Sequence, residues 1–127
     1  CLGMQLLFER SVEHGGAEGL GLLPGTIVPL DARGQKLPHI GWNDVRWVRD
    51  TPLAESLPDP VALYHVHSFV PEVDEDLVLA EGEYGSLFPS IVGRDRVWGA
   101  QCHPEKSSSE GLALLRNFVS ACAGVAA

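Results

Sequence analysis

An α/β domain with few strand–helix units is the fold class that the sequence predicts. Three observations predict it. The opening LGMQLLF reads as a helix, the middle of the chain holds several short β-type runs, and SSSEGLALLRNFVSAC closes it at helical spacing. A complete parallel sheet needs more βα units than these, so the set of elements reads as incomplete.

Taken in order, Leu2 to Arg10 is predicted helical, because Leu6, Leu7 and Phe8 cluster among strong helix formers. Gly15 and Gly16 end it, and the glycine-rich Gly19–Gly25 stretch is a loop. Thr26 to Leu30 is a short strand and Asp31 to Lys36 a polar turn. In LPHIGWNDVRWV, Pro38 and Gly41 make the first half irregular, while Val45 and Trp47 alternate with polar neighbours like a strand. Pro52, Pro58 and Pro60 bracket a short connection. Val61 to Val70 (VALYHVHSFV) is the strongest strand candidate. Leu77–Tyr84 and Ser90–Gln101 follow as strands, the second turning at Gly93–Arg96 as a hairpin. In the last element serines cap a helix whose apolar face is Leu112, Leu115, Phe118, Val119 and Cys122.

Bulk composition narrows the function. The 127 residues fit one domain, and 45% hydrophobic content sustains a packed core. A net charge of −8 argues against nucleic acid and against anionic membrane surfaces. No apolar run is long enough to span a bilayer. Three cysteines, an odd number, do not suggest a disulfide framework, so a reducing cytoplasm is expected. Cys102 and Cys122 read as buried small hydrophobes.

Cys1 differs. It directly precedes the predicted helix, where backbone N–H groups favour a thiolate, and Gly3 keeps its surroundings open. Gln5, four residues on, shares its helix face. Pro104 holds His103 extended, so His103 and Glu105 project to one side, an imidazole beside a carboxylate. Such a pair takes a proton from a nucleophile, and with Cys1 it composes a Cys–His–carboxylate set. His65 and His67 share one strand face, with Tyr64, Val66 and Ser68 on the other. His-x-His admits zinc, but the paired-Cys spacing of a zinc site is absent. One histidine satisfied in the core is the favoured reading, and no metal or cofactor is expected.

CLGMQ, the central HSF segment and the late CHPEKS followed by a helix together resemble the triad-type (class I) glutamine amidotransferases. Within that family, PHIGWNDV and EGLGLLPG are similar to the glutaminase subunits of imidazole glycerol phosphate synthase, of histidine biosynthesis. The resemblance runs from Cys1 to the terminal helix, with these blocks in the right order. It implies a flavodoxin-like α/β fold, with Cys1 as nucleophile, His103 as general base and acid, and Glu105 orienting His103. It also implies that Gln5, Ser68 and Phe69 border bound glutamine, with the Leu2 backbone N–H as an oxyanion donor. Pro38, His39, Trp42, Asn43 and Tyr64 would face a cyclase (β/α) barrel partner that receives ammonia. The strands, glycine and second oxyanion donor that precede the nucleophile in that family have no counterpart here. Residues 1–127 are therefore expected to be the C-terminal portion of a single amidotransferase domain, poorly stable and nearly inactive alone.

Three rival readings make different predictions. An N-terminal-nucleophile amidotransferase would use Cys1 with its own amine and leave His103 a bystander. Another triad amidotransferase, serving anthranilate or guanine nucleotide synthesis, would dock on a different synthase. A non-catalytic interaction module would use Trp42, Trp47 and Trp98 as anchors.

Overall fold

The computed structural model describes residues 1–126, with side chains described through Ala123. A short helix α1 (Leu2–Leu6) opens the chain, and a long helix α2 (Ser108–Ala126) closes it. Between them lie nine strands: β1 (Arg10–Ser11), β2 (Ala17–Glu18), β3 (Thr26–Pro29), β4 (His39–Trp47), β5 (Val61–His67), β6 (Phe69–Glu72), β7 (Val78–Tyr84), β8 (Ser86–Arg94) and β9 (Val97–Ala100). They form a four-stranded sheet in the order β2-β1-β3-β6 and a five-stranded one in the order β5-β4-β7-β8-β9. Every pair in the larger sheet is antiparallel. Mixed α/β architecture is thus present, with sheet predominating among the described residues.

The first helix stops four residues short of its predicted end. Leu6, Leu7, Phe8 and Glu9 are good helix formers, but their carbonyls are captured from outside. They accept hydrogen bonds from Leu20 N (2.8 Å), Leu22 N (2.8 Å), Gly21 N (3.1 Å) and Gly19 N (2.9 Å) respectively. The glycine-rich loop therefore competes for the acceptors that a continuing helix needs. Phe8 is fully buried at this crossing, beside Met4, Leu23 and Ile27.

The predicted irregularity around Pro38 and Gly41 is absent from the backbone pairing. β4 runs unbroken from His39, in register with β5 from His39↔His67 to Val45↔Val61. Gly41 keeps the strand continuous at φ +136°, a conformation open to glycine alone. The predicted Val61–Val70 strand is instead split at Ser68. β5 stays in the large sheet, and β6 crosses to pair with β3. The β8–β9 hairpin forms as predicted, with Asp95 at φ +58° in its two-residue turn.

The main core lies between the larger sheet and α2: Val45, Val61, Leu63, Leu79, Ile91, Cys102 and Leu114. The predicted apolar stripe of α2 is rotated away from it. Leu112, Leu115, Phe118, Val119 and Cys122 are exposed, while Gly111 and Leu114 are buried. Asn117 helps to hold that rotation, its Nδ2 donating to Leu53 O and Glu55 O at 2.8 Å each. The serines do not cap the helix as expected either. Ser107 Oγ donates to His103 O (2.7 Å) and accepts from Tyr64 N (2.9 Å).

Three histidines are buried together: His39, His65 and His67, packed against Phe88. Burial lowers His65 from 6.5 to about 3, against the opposing hydrogen bond to Leu63, and His67 to about 4, against that to Phe69. Both are neutral in the fold and titrate normally once unfolded, so the unfolded chain binds the extra protons. Stability is therefore complete above pH ~6.5 and falls with pH through the folded values near 4 and 3. The denaturation midpoint is expected to drop between pH 7 and 4.5, by on the order of a few kcal/mol in folding free energy. A flat profile across that range would show that these imidazoles take up protons equally in the folded and unfolded chain, against their burial as neutral rings.

Candidate active site

The site is assembled on one edge of β5. Residue 102 forms an antiparallel bridge with His65, His103 N donates to Tyr64 O at 2.8 Å, and Ser107 Oγ accepts from Tyr64 N. These bonds suspend Gln101–Ser107 beside the strand. His103 is extended (φ −107°, ψ 92°), as a residue before proline should be. Residues Pro104–Lys106 then curl into a 3₁₀ turn. The turn, rather than the predicted extended chain, brings Glu105 Oε1 to 2.9 Å from His103 Nδ1. A carboxylate only accepts, so Nδ1 carries the proton and His103 Nε2 is left as a base. His103 is about one-quarter exposed, and Glu105 lies at the surface.

Cys1 occupies the N-cap of α1, with Gln5 N donating to its carbonyl at 3.1 Å. Its backbone nitrogen donates to Gln101 O at 3.3 Å, joining the helix start to the His103 segment. Cys1, His103 and Glu105 line one cavity of about 310 Å³, together with Gly3, Met4 and Gly99. Leu2 N–H, in the first turn of α1, has no intrahelical acceptor and is free for a ligand oxygen. Cys102 borders the same cavity but is buried, which pushes its thiol up to about 12 and keeps it protonated. Among the described residues no cluster of His, Cys, Asp and Glu suits a metal ion.

Not every predicted residue arrives here. Gln5 Nε2 reaches Phe69 O at 3.5 Å, so these two meet beside the cavity. Ser68 does not line it; its carbonyl accepts from Leu30 N at 2.9 Å as the chain changes sheets. Of the residues expected to face a partner, Pro38 and Trp42 are exposed, and Asn43 and Tyr64 half-buried. Trp42 and Tyr64 meet edge-to-face at 6.0 Å. His39 corrects the expectation, being only 3% exposed and stacked on Tyr84 at 4.0 Å. Its place at the first β4–β5 pair turns it into the sheet's packed face, opposite to the face that carries Ile40 and Trp42.

Sequence reasoning missed Gln101. Its amide is fully buried, and turning it so that the nitrogen meets Phe69 O gives a 3.0 Å donation there and points the oxygen at Cys1 N. The signal was available, since Gln101 precedes His103 by two residues, the same spacing that linked His103 to Glu105.

Residues 1–122 match the family model for glutamine amidotransferase class-I. The chain belongs to the class-I glutamine amidotransferase family. Among its amidotransferase relatives, the imidazole glycerol phosphate synthase subunit HisH of Desulfitobacterium hafniense is 53% identical over 119 residues, 93% of this chain and 56% of the relative. The HisH of Methanocaldococcus jannaschii is 45% identical over 119 residues, covering 94% and 60%. The chain thus spans a little more than half the length of these relatives. A solved structure of a GMP synthase subunit from Thermoplasma acidophilum superimposes with a TM-score of 0.63 at 19% identity, over 80% of this chain and 50% of that one. That likeness supports the α/β amidotransferase fold.

Proposed function

We propose that this amidotransferase is a glutaminase that supplies ammonia to the (β/α)-barrel cyclase subunit of imidazole glycerol phosphate synthase. The observation that carries the reading is the shared cavity of Cys1 and His103, with Glu105 at 2.9 Å from His103 Nδ1. The names of the relatives support the choice of pathway.

In this reading the Cys1 thiol gives its proton to His103 Nε2, and the sulfur attacks the side-chain amide carbon of glutamine. The carbonyl oxygen gains the electron pair, and Leu2 N–H donates to it. His103 returns the proton to the amide nitrogen as the C–N bond breaks, releasing ammonia and leaving a γ-glutamyl thioester. His103 then deprotonates a water that attacks the thioester, and glutamate leaves as the thiol is restored. Gln5 and Phe69 border the glutamine, and Ser68 takes part only through the backbone that carries Phe69. Pro38, Trp42, Asn43 and Tyr64 meet the barrel, and the reaction takes place in the cytoplasm.

The test is labelling with a thiol-reactive glutamine analogue in the presence of the cyclase barrel. One equivalent on Cys1, and glutamine-dependent rather than ammonia-dependent cyclisation, are expected. No labelling at Cys1 would sink the proposal. Glu105→Gln removes the charge that orients His103, and is expected to lower kcat on the order of 10²-fold with little change in KM.

A further inference from the structure

The buried histidines carry more information than their burial. A carbonyl oxygen only accepts, so the ring nitrogen facing one must hold the proton. His67 Nδ1 lies 3.1 Å from Phe69 O, and His65 Nδ1 lies 3.0 Å from Leu63 O. Both rings are neutral, held so by burial. Each therefore has a bare Nε2 that must accept. His65 Nε2 takes Ser90 Oγ–H at 2.8 Å, and His67 Nε2 takes His39 Nδ1–H at 2.9 Å. The direction of every bond is thereby fixed, running from His39 on β4 through His67 to Phe69 O.

Phe69 O also lies 3.5 Å from Gln5 Nε2, and with the Gln101 amide turned so that its nitrogen meets this carbonyl, Gln101 donates to it at 3.0 Å. Gln5 follows Cys1 by four residues, and Gln101 precedes His103 by two. One carbonyl thus gathers donors from the nucleophile's helix, from the His103 segment and from β5. We propose that His67 is a positioning residue of the glutaminase site, its Nδ1–H holding the Phe69 carbonyl against Gln5 and Gln101 while His39 fixes its tautomer. The inference rests on the glutaminase reading and adds a residue to it.

Two measurements test it, both on the protein expressed from its own gene, with the cyclase barrel present for kinetics. Long-range ¹⁵N–¹H spectra of ¹⁵N-histidine-labelled protein at pH 7 should show His65 and His67 protonated at Nδ1 and bare at Nε2, with His39 carrying a proton on Nδ1. In the kinetic arm, His67→Asn keeps a donor near the Nδ1 position, whereas His67→Gln keeps only a group near Nε2. The Gln variant should lose about tenfold in kcat/KM, mainly through KM, and the Asn variant about threefold or less, as expected for one buried hydrogen bond. An active wild type with His67 protonated at Nε2, or with equal losses in the two variants, overturns the inference alone. Should neither variant fold, the wild-type spectra decide it. A wild type without glutaminase activity overturns the parent reading, whichever tautomer is seen.

Discussion

Cys1→Ala is expected to lower glutaminase turnover by about 10⁴-fold or more, and His103→Ala by a similar amount. The reason is that the two act as a unit. A thiol without a base is a weak nucleophile at neutral pH, and a base without a thiol has no proton to take. The double variant should therefore be little worse than either single one. Additive losses would mean that the residues serve separate steps and would contradict the triad reading. Cys102→Ala is the control. Its thiol is buried and held protonated up to about 12, so turnover should stay within a few-fold of wild type. His103→Ala also decides against an N-terminal-nucleophile mechanism, which predicts little effect. Under the proposed function, ammonia-dependent cyclisation by a barrel partner should survive all of these changes, because none of them alters the barrel.

What the sequence disclosed depended on whether the deciding contacts were local. The β8–β9 hairpin was readable because a two-residue turn and alternating strands are encoded within a dozen residues. The His103–Glu105 pair was readable because it spans two positions, although a 3₁₀ turn and not an extended strand joins them. Helix α1 was overestimated because the loop that takes its carbonyls lies ten or more residues away. The break at Ser68 was invisible for a similar reason, since β6 leaves the large sheet to pair with β3, far earlier in the chain. His39 looked like a surface residue beside Pro38, and only the register with β5 turns it inward. The rotation of α2 is held by contacts distant in sequence: Asn117 bonds to the loop after β4, Leu114 enters the core, and Gly111 lies against Pro104. Spacing alone ranked the exposed Leu112 above the buried Leu114.

The same helix makes the second large effect calculable. Gly111 is buried in the first turn of α2, where it passes over the 3₁₀ turn that holds Glu105. A Cβ there would collide with the Pro104 carbonyl and stand 2.7 Å from Ser107 Cβ. Neither neighbour can swing away. Pro104 O accepts from Ser107 N, and Ser107 Oγ bridges His103 O and Tyr64 N. Gly111→Ala must therefore shift α2 or push the 3₁₀ turn off β5. Overpacking of this kind costs about 2–3 kcal/mol, which a denaturant titration would read directly. Ordinary helix propensity predicts the opposite sign, since alanine is favoured over glycine by about 1 kcal/mol in a helix interior. The measured sign thus decides whether close approach or propensity governs the position. Because the displaced turn carries Glu105, kcat should fall together with stability. Gly111→Ala with raised stability and unchanged kcat would mean that α2 does not press on the His103–Ser107 segment in the folded protein.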